Sequence, residues 1–259
     1  MNDESFTVSA VLDTPVIVSP RSMLTLDALL AALIYERTQD AEIAMRSVPL
    51  TMTHGILHGS GAFLKGEVRP ASRGVGVFKG GLQPREASEP RFVWPSRKLK
   101  GRRQYTALNP KAGAYRNTLD IYEPLCAERV VWFGQGDLAA VGEFLSELTH
   151  VGRKTRQGFG RLVPGSLTVE PYDADRSIVW PIEDRPVPMR PVDIEAWRAM
   201  GFGTEGLRIE PATDRMPYFD ATGQRLCVLP PSRRAYWADD AQLWLQSCSF
   251  QSSIESTLE

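Results

Sequence analysis

The sequence has no run of about 18 apolar residues, so no membrane-spanning helix is expected from it. Its first residues, Met1-Asn2-Asp3-Glu4-Ser5, are acidic and lack the hydrophobic region of a secretory signal. Cysteine is scarce: Cys126, Cys227 and Cys248 stand far apart among 259 residues, with no CxxC. That argues against a disulfide framework or a zinc site and reads as three reduced thiols in a cytosolic protein. GxSxG, HExxH and EF-hand patterns are missing. No paired carboxylates suggest a two-metal nuclease; Glu183-Asp184 and Asp239-Asp240 read as solvated or capping charges. Neither a metal nor a cofactor is expected. Neither sign of charge dominates, with 30 Lys and Arg against 31 Asp and Glu, so the total does not announce nucleic acid.

What is present is ordinary in bulk and uneven in distribution. Apolar residues make up 42% and charged residues 24%, which suits a globular chain able to bury a core. Twenty-one glycines and nineteen prolines imply many turns and long connections. From Lys65 to Arg116 there are thirteen Lys and Arg against three acids, Glu67, Glu86 and Glu89, a local net of +10. The remainder of the chain then carries −11. Such segregation is the electrostatic footprint of a protein that meets a polyanion.

Periodicity predicts a strand over Ser5–Leu12, with Phe6, Val8, Ala10 and Leu12 on one side. Pro15–Ser19 continues it or pairs with it. Leu24–Arg37 is predicted helical, apolar at Leu26, Leu29, Leu30, Leu33 and Ile34, with Ser22 or Thr25 as cap. Val48–Leu64 holds one or two strands, broken at Gly55 and at Gly59-Ser60-Gly61. Residues 65–118 are too long for a bare connector and are expected to be a functional excursion, a hairpin or a partly mobile arm. Glu128–Phe133 is β-rich. Asp137 then caps an amphipathic run from Leu138 to His150, which Gly152 is expected to end. Leu162–Glu170 is the last strand of this part, broken at Pro164-Gly165.

This order predicts an α+β fold: a ferredoxin-like or RRM-like domain over 1–170, with a long insertion between strands 2 and 3 and a glycine-rich loop after helix 2. One face of such a sheet is expected to be free for RNA. Beyond residue 170, Arg185-Pro186-Val187-Pro188 demands extended chain, and Asp193 caps a short helix to Met200. Asp239–Phe250 has roughly helical spacing. Residues 171–259 read as a C-terminal appendage.

Two constellations carry chemistry. The first is Gly152-Arg153-Lys154-Thr155-Arg156-Gln157-Gly158-Phe159-Gly160-Arg161, four cations among three glycines with no acid. Glycine lets one backbone approach another closely, or presents N–H groups to an anion. Cations beside it suit a phosphate chain. The stretch reads either as a phosphodiester clamp or as a solvated turn, and Phe159 either packs or stacks. The second is Lys98, Lys100, Arg102 and Arg103, followed by Tyr105, Lys111, Tyr115 and Arg116. Bases interleaved with rings suit single-stranded RNA; a solvated loop is the plain alternative. His58 and His150 are candidates for a metal-independent ribonuclease, or for structural or phosphate-contacting roles. Gly201-Phe202-Gly203-Thr204-Glu205-Gly206 matches GxGxxG, but a helix precedes it and Glu205 would face a pyrophosphate.

The loop over 152–161 resembles the glycine-rich loop of the RAMP superfamily, the RNA-binding Cas proteins of CRISPR effector complexes. Pro20-Arg21 with Leu26-Asp27-Ala28-Leu29-Leu30-Ala31 is similar to the first helix of one member, the Cas-five-type subunit of type IV complexes. Leu57-His58-Gly59-Ser60-Gly61-Ala62-Phe63 and Gly113-Ala114-Tyr115-Arg116, leading into Pro124-Leu125, are similar to further parts of it. Arg185–Pro188 and Met216-Pro217-Tyr218-Phe219 resemble its C-terminal part more loosely. The resemblance implies a non-catalytic subunit in the prokaryotic cytoplasm, serving antiviral defence and plasmid interference. It would cap the five-prime handle of a guide RNA, and contact Cas-seven-type backbone subunits, the large subunit, and target DNA near the protospacer-adjacent motif. Residues 65–118 would be its thumb. The implied RNA-binding residues are Gly152 through Arg161, Lys98, Lys100, Arg102, Arg103, Lys111, Tyr115, Arg116 and His58. The alternative within the superfamily is a metal-independent guide-processing endoribonuclease using His58 or His150.

Overall fold

Phe6, Val8 and Ala10 alternate with Ser5, Thr7 and Ser9, as a half-buried strand requires, and Glu4–Val11 forms strand β1. The structure is a computed structural model that describes residues 3–18, 23–71, 75–79, 97–99, 102–104, 118–182, 185–216, 218, 223–230 and 236–237. The chain continues as α1 (Leu26–Thr38), α2 (Ala41–Arg46), β2 (Met52–Thr53), β3 (Ile56–Leu57), β4 (Phe63–Lys65) and β5 (Arg69–Pro70). Then come β6 (Val75–Lys79), β7 (Arg97–Leu99), β8 (Arg102–Gln104), β9 (Thr118–Tyr122), β10 (Leu125–Cys126) and β11 (Arg129–Gly136). They are followed by α3 (Leu138–Leu145), β12 (Thr168–Pro171), β13 (Val179–Ile182), β14 (Arg185–Pro188), β15 (Val192–Asp193) and α4 (Ile194–Ala199). The last are β16 (Arg208–Ala212), β17 (Arg225–Leu229) and β18 (Tyr236–Trp237). The fold mixes α and β, with few helices and mostly antiparallel sheets.

The main sheet runs β12-β1-β11-β4-β18. Its first three pairings are antiparallel, with Val8 opposite Trp132 and Val130 opposite Leu64. One face carries Phe6, Val8, Ala10, Leu64, Val130 and Trp132. It packs on Leu26, Leu30 and Ile34 of α1 and on Val141 and Leu145 of α3. These are the helix positions that the 3.6-residue spacing predicts. Thr25 is the N-cap of α1, although its hydroxyl makes no capping bond. Asp137 caps α3 by accepting from the Ala140 amide at 3.0 Å.

α3 is shorter than its amphipathic run. The Ser146 hydroxyl donates to the Glu143 carbonyl at 2.7 Å, the Leu148 amide donates to the Leu145 carbonyl at 2.9 Å, and the chain turns away. Helix α2 was not expected. It is six residues long with only Ala44 buried, so it shows no periodicity; its signal is Asp40, whose carboxylate accepts from Glu42 and Ile43.

The second face of the sheet is not free, contrary to expectation. Phe63, Val131 and Phe133 are buried there against Met189, with Tyr172 and Trp180 packed on them. Tyr172 and Trp180 meet Phe133 edge-on, at centroid distances of 5.4 and 5.3 Å. Covering residues thus come from the hairpin β13–β14 and its flanks. Farther along, Ile56 of β3 shares a second core with Ile178, Val192, Ala196, Trp197 and Val228. Asp193 caps α4 as expected, accepting from Glu195 and Ala196.

Arg190 ties these layers together. It is wholly buried. Its guanidinium donates to the carbonyls of Leu57 at 2.7 Å, Gly59 at 2.9 Å and Asp214 at 2.8 Å. It also donates to the carboxylate of Asp27 at 3.2 Å and to the Tyr218 hydroxyl. Tyr218 in turn donates to Asp27. Burial raises the Tyr218 pKa, and although Arg190 opposes this, the phenol stays neutral and able to donate. Asp27 belongs to the first turn of α1, so the buried pair joins that helix to the segment after β14.

Residues Ser72–Glu123 form a compact unit of their own; the remainder, Met1–Ala71 with Pro124–Glu259, forms the other. In the smaller unit β6 pairs with β9 and β7 with β8, both antiparallel. The helix expected over 239–250 lies outside the described residues.

Arg190→Ala leaves Asp27 buried without its cation. It is expected to cost about 3–5 kcal/mol of unfolding free energy, read by urea titration; a loss below about 1 kcal/mol would show that the network is dispensable.

Candidate functional site

The basic loop begins where α3 turns away. Its stem is a narrow antiparallel contact: His150 bridges Arg161, the Val151 amide donates to Gly160 at 2.8 Å, and the Leu162 amide donates to Thr149 at 2.8 Å. Between the stems lies a single 3₁₀ turn over Thr155–Gln157, flanked by Lys154 and Gly158 in the left-handed region. The back of the loop is sewn to residues 13–17. The Arg153 amide donates to Ile17 at 2.9 Å and the Gly160 amide to Pro15 at 2.9 Å. The Arg161 amide donates to the Thr14 hydroxyl at 2.8 Å, which donates onward to the Gly158 carbonyl at 2.8 Å.

Two glycines have a steric reason. Gly160 sits at φ +64°, and a Cβ there would stand 1.9 Å from the Val151 carbonyl oxygen. Gly152, at φ +82°, would bring one to 2.7 Å from the Ile17 oxygen. Gly152 therefore does not end α3; it lets the loop touch the segment after β1. Close backbone approach, not an anion nest, is the use of glycine at these two positions. The amides of Arg153, Gln157, Gly158, Gly160 and Arg161 already have protein acceptors.

The side chains of the loop are differently placed. Arg153, Arg156 and Gln157 are exposed, while Lys154, Thr155 and Phe159 are half-buried. Arg161 is exposed but holds Asp13, Nε to Oδ2 at 2.6 Å. Gly160→Ala is expected to lower thermal stability much more than Gly158→Ala. Nothing lies within 4 Å of a Cβ at Gly158, so that change carries only the left-handed cost of about 1–2 kcal/mol. Equal losses in a thermal melt would contradict the close-approach account.

The second basic group belongs to the unit of residues 72–123. Lys98 lies on β7 and Arg102 and Arg103 on β8, with Lys98 opposite Arg103. Lys100, Tyr105, Lys111, Tyr115 and Arg116 lie outside the described residues.

His58 is buried, and both ring nitrogens are engaged. Nδ1 lies 2.8 Å from the Asp175 carboxylate and 3.1 Å from the Ser177 hydroxyl; Nε2 lies 2.8 Å from the Thr53 hydroxyl. Both nitrogens of the ring thus have partners inside the protein. Sequence reading missed Thr53, Asp175 and Ser177, since 117 residues separate His58 from Asp175. His150 is half-buried, with Nδ1 at 2.9 Å from the Thr149 hydroxyl. The GxGxxG stretch also has a structural part: Phe202 packs on Trp197, whose indole N–H donates to the Gly203 carbonyl at 2.8 Å.

Burial pushes the Asp175 carboxyl upward. Hydrogen bonds from His58, then from the Ser177 hydroxyl and amide, outweigh it and hold the group below the usual carboxylate range. A depressed pKa means that this stabilisation is present above the unfolded-state value and lost as pH falls through the folded-state value. Asp175→Asn is therefore expected to lower the melting temperature at neutral pH by the equivalent of about 1 kcal/mol or less. The difference should begin to shrink below about pH 4 and disappear only once the pH has fallen below the folded-state value. A gap that persists unchanged in acid would show that the carboxylate charge is not the cause.

One protein-family model, described as CRISPR type IV associated protein Csf3, matches residues 87–222, more than half of the chain. That span includes α3, the basic loop, and the segment that carries Arg190. No curated protein matches the chain.

Proposed function

Since the chain belongs to the CRISPR type IV associated protein Csf3 family, we propose that it is the non-catalytic, Cas-five-like subunit that caps the five-prime handle of the guide RNA. It contacts the Cas-seven-type filament and the large subunit, and through the latter stands near target DNA. The observation that carries this reading is the loop over 152–161. Its backbone is locked by Gly152 and Gly160 against residues 13–17, so that Arg153 and Arg156 stand outward on a fixed turn. A fixed turn presents cations to a phosphate chain without first being ordered.

The strand order supports a ferredoxin-like reading of the domain. Taken as first to fourth in sequence, β1, β4, β11 and β12 stand in the sheet as fourth, first, third, second. α1 and α3 make the two connections, which is the split βαβ arrangement. The insertion between the second and third of these strands contains the separate unit of residues 72–123. Its basic composition suits a thumb that follows RNA. The engagement of both His58 nitrogens within the protein supports binding over cleavage.

The test is equilibrium binding of repeat-derived RNA across a salt series, in EDTA, with the RNA recovered afterwards. Arg153→Ala with Arg156→Ala removes two phosphate contacts and is expected to flatten the salt slope by about 1.4, with the RNA recovered intact. An unchanged slope would overturn the loop as the RNA site. A product ending in a 2′,3′-cyclic phosphate would overturn the non-catalytic assignment.

A further inference from the structure

The basic loop carries its own anion. Both Nε and Nη2 of Arg161 reach a single oxygen of Asp13, at 2.6 and 2.5 Å. The pair lies in solvent, with 57% of the arginine side chain and 40% of the aspartate open. An ion pair that wet adds little to stability. Nor is it needed to place the loop. The Asp13 amide donates to the Arg161 carbonyl at 2.8 Å, and Thr14 and Pro15 hold Gly158, Gly160 and the Arg161 amide. Those ties use backbone and a hydroxyl, so they survive loss of the carboxylate. What the carboxylate does change is the charge facing a phosphate chain. A phosphate that approached Arg161 would have to displace Asp13 and then sit beside it, against like-charge repulsion.

We infer that Asp13 is a specificity-determining residue of the loop: it occupies Arg161 and so limits how many RNA phosphates the loop can take. This rests on the RNA-binding reading above. Electrostatic attraction to phosphates is blind to sequence. Withholding one cation lowers affinity for every polyanion alike. It thereby raises the share of affinity that depends on the shape and bases of the handle. The charge of Arg161 is then directed at the protein and withheld from the RNA.

The experiment compares Asp13→Asn and Arg161→Gln with the parent protein, on repeat-derived RNA and on a short polyuridylate. Asp13→Asn frees Arg161 for one further phosphate. It is expected to steepen the salt slope by about 0.7 and to tighten polyuridylate several-fold, with a smaller gain on the repeat RNA. Arg161→Gln is expected to leave the slope unchanged. The inference is overturned by an unchanged slope in a folded Asp13→Asn protein, or by a flattened slope in Arg161→Gln. Should Asp13→Asn not fold, Arg161→Gln decides alone. If the slope also ignores Arg153 and Arg156, the RNA-binding reading itself fails, a distinct outcome.

Discussion

A guanidinium sealed from water must find an acceptor for its protons and an anion for its charge, or the chain will not close around it. Arg190 answers that demand through its two terminal nitrogens, its buried Nε having no partner among the described residues, when four separate stretches converge: Asp27 at the start of α1, the carbonyls of Leu57 in β3 and of Gly59 just after it, the Asp214 carbonyl, and Tyr218. The directional bonds fix where the chain after β14 sits on the first helix. Met189, its neighbour in sequence, is thereby placed on the sheet beside Phe63 and Phe133. The same anchor decides what the second sheet face is for. A face roofed by Met189, Tyr172 and Trp180 is core, and it cannot serve along that half as a platform for bases.

With that face covered, the proposed recognition site is the loop after α3. There the chain solves a mechanical problem first. Gly160 clears the Val151 carbonyl and Gly152 clears the Ile17 carbonyl, so a turn rich in positive charge is pulled flat against residues 13–17. Like charges on a slack loop would spread apart; here the backbone bonds hold them together. The cost of bringing cations together is met by folding. Asp13 fits the same logic, since it offsets one of those charges at the base of the turn.

Much of the architecture could be read from local pattern. β1 and the buried face of α1 are written in strict period-two and period-3.6 spacing, and both stand where that spacing puts them. α3 was legible at its start, where Asp137 caps it, and not at its end, because apolar Leu148 continues the period after the helix has stopped. What escaped reading depends on residues far apart in the chain. Nothing near Phe133 announces Trp180, and nothing near His58 announces Asp175. Met189 and Arg190 look like ordinary members of a proline-bounded segment until their partners are seen. The loop was half legible: its composition promised an anion site or a close approach, and the choice depended on Val151 and Ile17, whose positions no local pattern records. Membership of the Csf3 family is consistent with the resemblance that the loop and the first helix carried.

In the proposed function a guide RNA lies on the outward side chains of residues 152–161 within an assembled type IV particle. Ultraviolet cross-linking of a guide carrying 4-thiouridine in its five-prime handle, with the adduct located by mass spectrometry, tests it most directly. The nucleotide is expected on a peptide from Arg153–Arg161. Adducts confined to other parts of this chain or to other subunits, with that peptide recovered unmodified, would contradict it.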